Sequence, residues 1–159
     1  MEIEVSVSSD EWSKDLTDAE SLARMAAAET IRQCVPTLLN RAGEVTVTLA
    51  DDQMLNQLNQ YHRQKDGPTN VLSFPMMDGT GELSTEVDIL LGDVIIAHGV
   101  TAREARESEK EIADHLSHLV VHGVLHLLGY DHEDDEEATE MEKLEVEILK
   151  SLNIADPYS

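Results

Sequence analysis

Ile3, Val5 and Val7 alternate with polar residues, and this two-residue period predicts a half-buried strand at the start of the chain. Thr17 and Glu20 stand at capping-box spacing ahead of an Ala-rich run, which predicts a helix to about Cys34. Val45, Val47 and Leu49 restore the alternation, so Glu44–Ala50 reads as a second strand. Asp51 is placed to cap a helix carrying Met54, Leu55 and Leu58. A turn at Lys65-Asp66-Gly67-Pro68 leads into the apolar run Val71–Phe74. Val87–Ala97 reads as a buried strand with a bulge at Gly92. Thr101 to Leu128 is helical, with a break expected near Ser108. Met141, Leu144, Ile148 and Leu152 keep helical spacing in a last, very acidic helix. Strands and helices mix without strict alternation, which predicts the α+β class.

Composition narrows the picture. The 159 residues suit one domain, 1–159, with a core of its own. Aromatics make up only 3% of the chain, so Leu, Ile, Val, Ala and Met must build the interior. Cys34 is the single cysteine; it excludes an intrachain disulfide and fits a reducing compartment. The opening residues lack the basic region and apolar run of a secretory signal, and no apolar run reaches membrane-spanning length. A cytoplasmic protein without a membrane partner is expected. The net charge of −22 argues against a broad nucleic-acid-binding surface. The excess is uneven, however: ten acids lie in Asp131–Glu147, while Arg63 and Lys65 form a small basic cluster in mid-chain.

The most specific stretch is His122-Gly-Val-Leu-His126-Leu-Leu-Gly129-Tyr130-Asp131-His132. His122 and His126 are four residues apart on a predicted helix, so both rings project from one face. Gly129 suits a left-handed helix stop, and the turn it makes brings His132 back toward that face. Three neutral imidazoles suit Zn²⁺ and leave a fourth position open. A histidine-rich face without metal is the plain alternative, but a third histidine just past a glycine stop makes coincidence a poor account. One Zn²⁺ per chain is expected at the end of this central helix. The spacing matches that of the metzincin proteases, except that Gly123 stands where their glutamate base belongs. This argues against a peptidase and leaves polarisation of a phosphoryl group or of water as the metal's chemistry. His115 and His118 continue the stripe and are expected to pack or hydrogen-bond behind the site. Asp131 is equally suited to orienting a ligand histidine and to capping the turn. Tyr130 reads as packing, and His62 and His98 as solvated surface residues.

Residues 122–132 match the signature His-Gly-x-x-His-Leu-x-Gly-Tyr-Asp-His of the YbeY family, bacterial endoribonucleases of rRNA maturation. A second block runs through Leu58-Asn59, Arg63, Lys65-Asp66 and Pro68-Thr69-Asn70-Val71-Leu72-Ser73-Phe74-Pro75, and Leu91-Gly92-Asp93-Val94 fits as well. A tyrosine commonly precedes the family's arginine, where this chain has His62. The resemblance implies a small mixed sheet packed with helices and a single zinc in a groove. It also implies single-strand-specific RNA cleavage in 16S rRNA 3′-end maturation and ribosome quality control. The expected partners are then single-stranded RNA, the 16S rRNA precursor and the small ribosomal subunit, with no DNA. Residue type alone makes Arg63 a surface ion-pair partner; the resemblance makes it the catalytic residue that holds phosphate, a task suited to a planar guanidinium. Two other functions fit the residues: a ribosome-assembly factor with a structural zinc, and a metal-dependent hydrolase of a small molecule.

Overall fold

The computed structural model describes residues 1–63, 69–76 and 88–158, with His62 and Arg63 described by their backbone only. Four strands form one sheet: β1 (Glu2–Val7), β2 (Gly43–Ala50), β3 (Val71–Pro75) and β4 (Ile89–Ala97), in the order β1-β2-β4-β3. β1, β2 and β4 run parallel, and β3 pairs antiparallel with β4 at the edge. The helices are α1 (Asp10–Asp15), α2 (Ala19–Cys34), α3 (Asp52–Arg63), α4 (His98–Glu107), α5 (Ile112–Leu127) and α6 (Asp135–Ser151). This is the α+β architecture with a mixed sheet.

The alternation read along the strands sorts their side chains to two faces. Val45, Val47, Leu49, Leu91, Val94 and Ile96 join the larger core with α2, α5 and α6. Leu72, Ile95, Ala97 and Ala50 form a smaller core with Leu55 and Val100 on the other face. Leu91 and Val94 share a face although they are an odd number apart, because β4 carries a register shift there. Gly92 sits at the irregularity with φ +136°, and a Cβ on it would meet the Phe74 carbonyl. The expected bulge is present, and its glycine is demanded by conformation and close approach alike.

Helix ends follow the expected chemistry in most places. Asp51 Oδ1 accepts from Met54 N at 2.8 Å, and Asp134 Oδ1 accepts from Glu137 N at 2.8 Å. The helical run after β4 is broken at Ser108, and Glu109 takes φ +56° before α5 begins. The start of α2 differs from the capping-box reading: its N-cap is Asp18, and Glu20 pairs with Arg24 at 3.0 Å. The helix begins after Thr17, where an i,i+4 ion pair takes up the glutamate. The short helix α1 carries no apolar period, having Trp12 as its single large apolar residue. Tertiary contact makes it: Trp12 is fully buried and donates from Nε1 to the Ala50 carbonyl at 2.9 Å. The same helix overturns the surface reading of His98. The residue is 8% exposed, its ring edge-on to Trp12, with Asp15 Oδ2 at 2.6 Å and Glu11 Oε2 at 2.9 Å. The second half of the Lys65–Pro68 turn, Val87 and the His62 side chain lie outside the described residues, as does the turn's first half.

Candidate metal centre

Helix α5 is the element that positions the site. It lies against β3 and β4, and close approach is possible because residue 123 lacks a side chain: a Cβ there would stand 2.6 Å from Val94 Cγ1 and 3.2 Å from Ser73 Oγ. Ser73 Oγ donates to the Gly123 carbonyl at 3.2 Å across the same contact. Gly123 therefore points at the sheet, while its neighbour His122 faces outward into a groove.

The C-terminus of α5 is closed by a Schellman motif. Tyr130 N donates to the Leu125 carbonyl at 3.0 Å, Gly129 N donates to the His126 carbonyl at 3.1 Å, and Gly129 takes φ +102°. The chain turns back there, and His132 arrives beside the two helical histidines. Ring centroids are 4.6 Å apart for His122 and His126, 5.7 Å for His122 and His132, and 5.1 Å for His126 and His132. One nitrogen from each ring lies within 4.8 Å of the other two, so the three form a cluster able to hold a metal ion.

The hydrogen bonds behind the rings decide their tautomers. His122 Nδ1 lies 2.6 Å from Glu145 Oε1. Glu145 is 1% exposed; burial opposes its charge, but hydrogen bonds from His118, His122 and the Tyr158 hydroxyl outweigh this and hold its carboxyl at about 2. An ionised carboxylate only accepts, so His122 Nδ1 carries the proton. His126 Nδ1 lies 3.0 Å from the Tyr130 carbonyl, which also only accepts. Burial lowers the His126 pKa, helped by His122 and His132. The Nδ1 atoms of both rings are engaged behind the site, and their Nε2 atoms face each other at 3.0 Å. With a nitrogen of His132 also within 4.8 Å of both, the donor set is one that fits a metal ion.

The site residues expected from sequence fall as follows. His122, His126 and His132 converge. His118 Nε2 lies 2.7 Å from Glu145 Oε2, so it shares a carboxylate with His122. His115 Nε2 lies 3.0 Å from Glu104 Oε1, further along α5. Asp131 Oδ1 accepts from the His132 backbone N–H at 2.8 Å. Tyr130 is half-buried against the main core. Arg63 is the last residue of α3, and its side chain lies outside the described residues. Next to the cluster runs an open groove of about 790 Å³, lined by residues 69–75 along β3 and by His122, His126 and residues 129–132.

A family model described as Endoribonuclease YbeY matches residues 5–153. The chain belongs to the YbeY family. An Endoribonuclease YbeY of Paramagnetospirillum magneticum is 47% identical over 159 residues, covering 99% of this chain and 96% of that protein. One from Azorhizobium caulinodans is 46% identical over 159 residues, covering 100% of this chain and 97% of its own. The solution structure of a Thermotoga maritima protein superposes with a TM-score of 0.55 at 25% identity, over 99% of both chains. Within this YbeY-family chain, Glu145 is the residue that sequence reading missed. Its signal was present: it stands between Met141, Ile148 and Leu149 on the buried face of α6, a charge inside an apolar stripe. Among the described residues, no helix is long and apolar enough to cross a membrane.

Proposed function

We propose that this chain is a zinc-dependent, single-strand-specific endoribonuclease, acting in the cytoplasm in 16S rRNA 3′-end maturation and ribosome quality control. The observation that carries this reading is the convergence of three imidazole nitrogens within 4.8 Å beside an open groove, in a chain of the YbeY endoribonuclease family. Three neutral imidazoles are a ligand set that Zn²⁺ accepts at about 2.0–2.1 Å, with a fourth position free. When bound, the ion supplies Lewis acidity toward a phosphoryl oxygen or a water molecule.

The chain's own residues do the rest. His122, His126 and His132 hold the ion. Glu145 and the Tyr130 carbonyl keep His122 and His126 in the tautomers that leave Nε2 free. Arg63 holds the phosphate on either side of the scissile bond through its planar fork. His118 supports Glu145 from behind, and Asp131 supports the turn that delivers His132. An open groove favours a polymer over a small molecule, whose sites are enclosed. A structural zinc would call for a fourth protein ligand, and the metal cluster among the described residues comprises three.

The test is incubation of zinc-loaded, metal-stripped and His126→Ala protein with short single-stranded and double-stranded RNAs, with the products mapped. Loaded protein should cut single strands, stripped protein should not, and readdition of Zn²⁺ should restore cutting. His126→Ala should lose the metal by elemental analysis and the activity with it. Equal cleavage by stripped and loaded protein would overturn the reading.

A further inference from the structure

A second cavity, of about 410 Å³, opens beside His122, within the size range of ligand sites. It shares Asn70, Val71 and His122 with the metal groove, so the two are continuous. Residues 115 and 122 are two turns apart on α5, which places its far wall about 10 Å from the metal ligands. It belongs to the surface over which RNA would run, but holds none of the three histidine ligands except the edge of His122.

Its walls are equipped for a flat, uncharged ring. Besides the edge of His122, three aromatic rings line it: His115 and His118 meet at 5.9 Å and 62°, and His118 and Tyr158 meet edge-on at 5.6 Å and 87°. Leu119 and Val71 add apolar surface. Tyr158 is 49% exposed, with its hydroxyl anchored on Glu145, so the ring is held in place with much of its surface open. The polar group is the Glu104 carboxylate. Its Oε1 takes His115 at 3.0 Å and Asn70 Nδ2 at 3.1 Å, while among the described residues Oε2 has the longer Asn70 contact at 3.4 Å. Oε2 therefore retains acceptor capacity in a side chain fixed by two partners and 36% exposed.

Charge decides what enters. Glu104 and Glu107 line the cavity, and among the described residues no lysine or arginine does, which disfavours a phosphate there. Single-stranded RNA offers bases that stack on Tyr and His rings and are read at their Watson–Crick edges. A carboxylate acceptor matches guanine best, because its N1–H and N2 amino group are adjacent donors with no acceptor between them. Uracil brings one N–H flanked by two carbonyl oxygens, which the carboxylate repels.

We propose that the cavity formed by Asn70, Glu104, His115, His118 and Tyr158 is a nucleobase pocket that selects guanine in the RNA strand next to the scissile phosphate. The inference rests on the endoribonuclease reading for its substrate. Two measurements separate their fates. In the first, the four free ribonucleosides are titrated into histidine-labelled protein followed by NMR. Guanosine should move the His115 and His118 signals, and uridine should not. If Mg²⁺ moves them and guanosine does not, the cavity is a cation site and the proposal is wrong. In the second, zinc-loaded protein cuts RNAs that differ in one base. Wild type should prefer guanine beside the cut. Glu104→Gln, which replaces an acceptor edge by a donor, should reduce that preference at least fivefold and move it toward uracil, with zinc content and melting temperature unchanged. Asn70→Ala, which releases the carboxylate, should weaken it in the same direction and covers the case that Glu104→Gln folds poorly. An unchanged cleavage pattern in both variants overturns the pocket while leaving the nuclease reading intact. Guanosine binding in a protein that cuts no RNA upholds the pocket and overturns the nuclease.

Discussion

Glu145 shows how much one buried carboxylate can organise. It accepts from His118, His122 and the Tyr158 hydroxyl at once, so both of its oxygens are engaged. Glu145→Gln has one acceptor oxygen and a donor in place of the other, and cannot serve three donors. It should weaken zinc binding by about 10–100-fold, the scale of losing a partner behind a metal ligand. Competition with a chelator of known affinity reads this directly; unchanged affinity would show that His122 needs no such support. Arg63 poses the complementary case, a residue assigned by resemblance. Arg63→Ala should leave zinc content and melting temperature nearly unchanged and lower RNA cleavage by roughly a hundredfold, the scale of one preorganised electrostatic stabiliser. Arg63→Lys should recover part of the loss, because an ammonium keeps the charge without the fork. Normal cleavage by Arg63→Ala would reduce the arginine to a surface residue.

Between elements, the closest fit is that of α5 on β4. Because a Cβ at position 123 would press on Val94, Gly123→Ala must lift the helix or displace the valine. It should destabilise the protein by about 1–3 kcal/mol in chemical denaturation, the usual cost of overpacking. An unaffected midpoint would mean that the contact is loose. Glutamate at this position meets the same wall, so the absence of a peptidase's base here goes together with a packing demand. A second contact links α2 to α6: Glu29 holds Arg32 and Gln33 on its own helix and Ser151 on α6. The Arg32 bond, with Gln33 and Ser151 and against burial, lowers the Glu29 pKa to about 2. A depressed folded-state pKa stabilises the fold above the ordinary carboxylate value, and that stability is lost as pH falls through the folded value. The stability advantage of wild type over Glu29→Gln should therefore be full above about pH 4.5 and shrink toward pH 2. A difference independent of pH would show that the contact works through shape alone.

The whole molecule carries a net charge of −22, with ten acids between Asp131 and Glu147. Such self-repulsion opposes compaction and is screened by salt. The melting temperature of the metal-loaded protein should rise between about 20 and 200 mM NaCl, as the Debye length falls below the spacing of surface charges. A falling melting temperature would mean that favourable ion pairs outweigh the repulsion. The same field disfavours RNA everywhere except near local cations.

Periodicity and spacing were enough for the α+β class, most element positions, the Gly92 bulge and the three clustered histidines. Each is a local property: a two- or four-residue spacing puts side chains on one face whatever lies opposite. Tertiary structure decided what stands behind and around those faces. α1 exists because Trp12 finds the Ala50 carbonyl, and His98 is buried because α1 covers it. Glu145 reaches His122 from 23 positions away in sequence, and Glu104 reaches His115 from another helix. A buried charge in an apolar stripe announces that it has partners, but only packing says which ones, because its partners are brought by other elements.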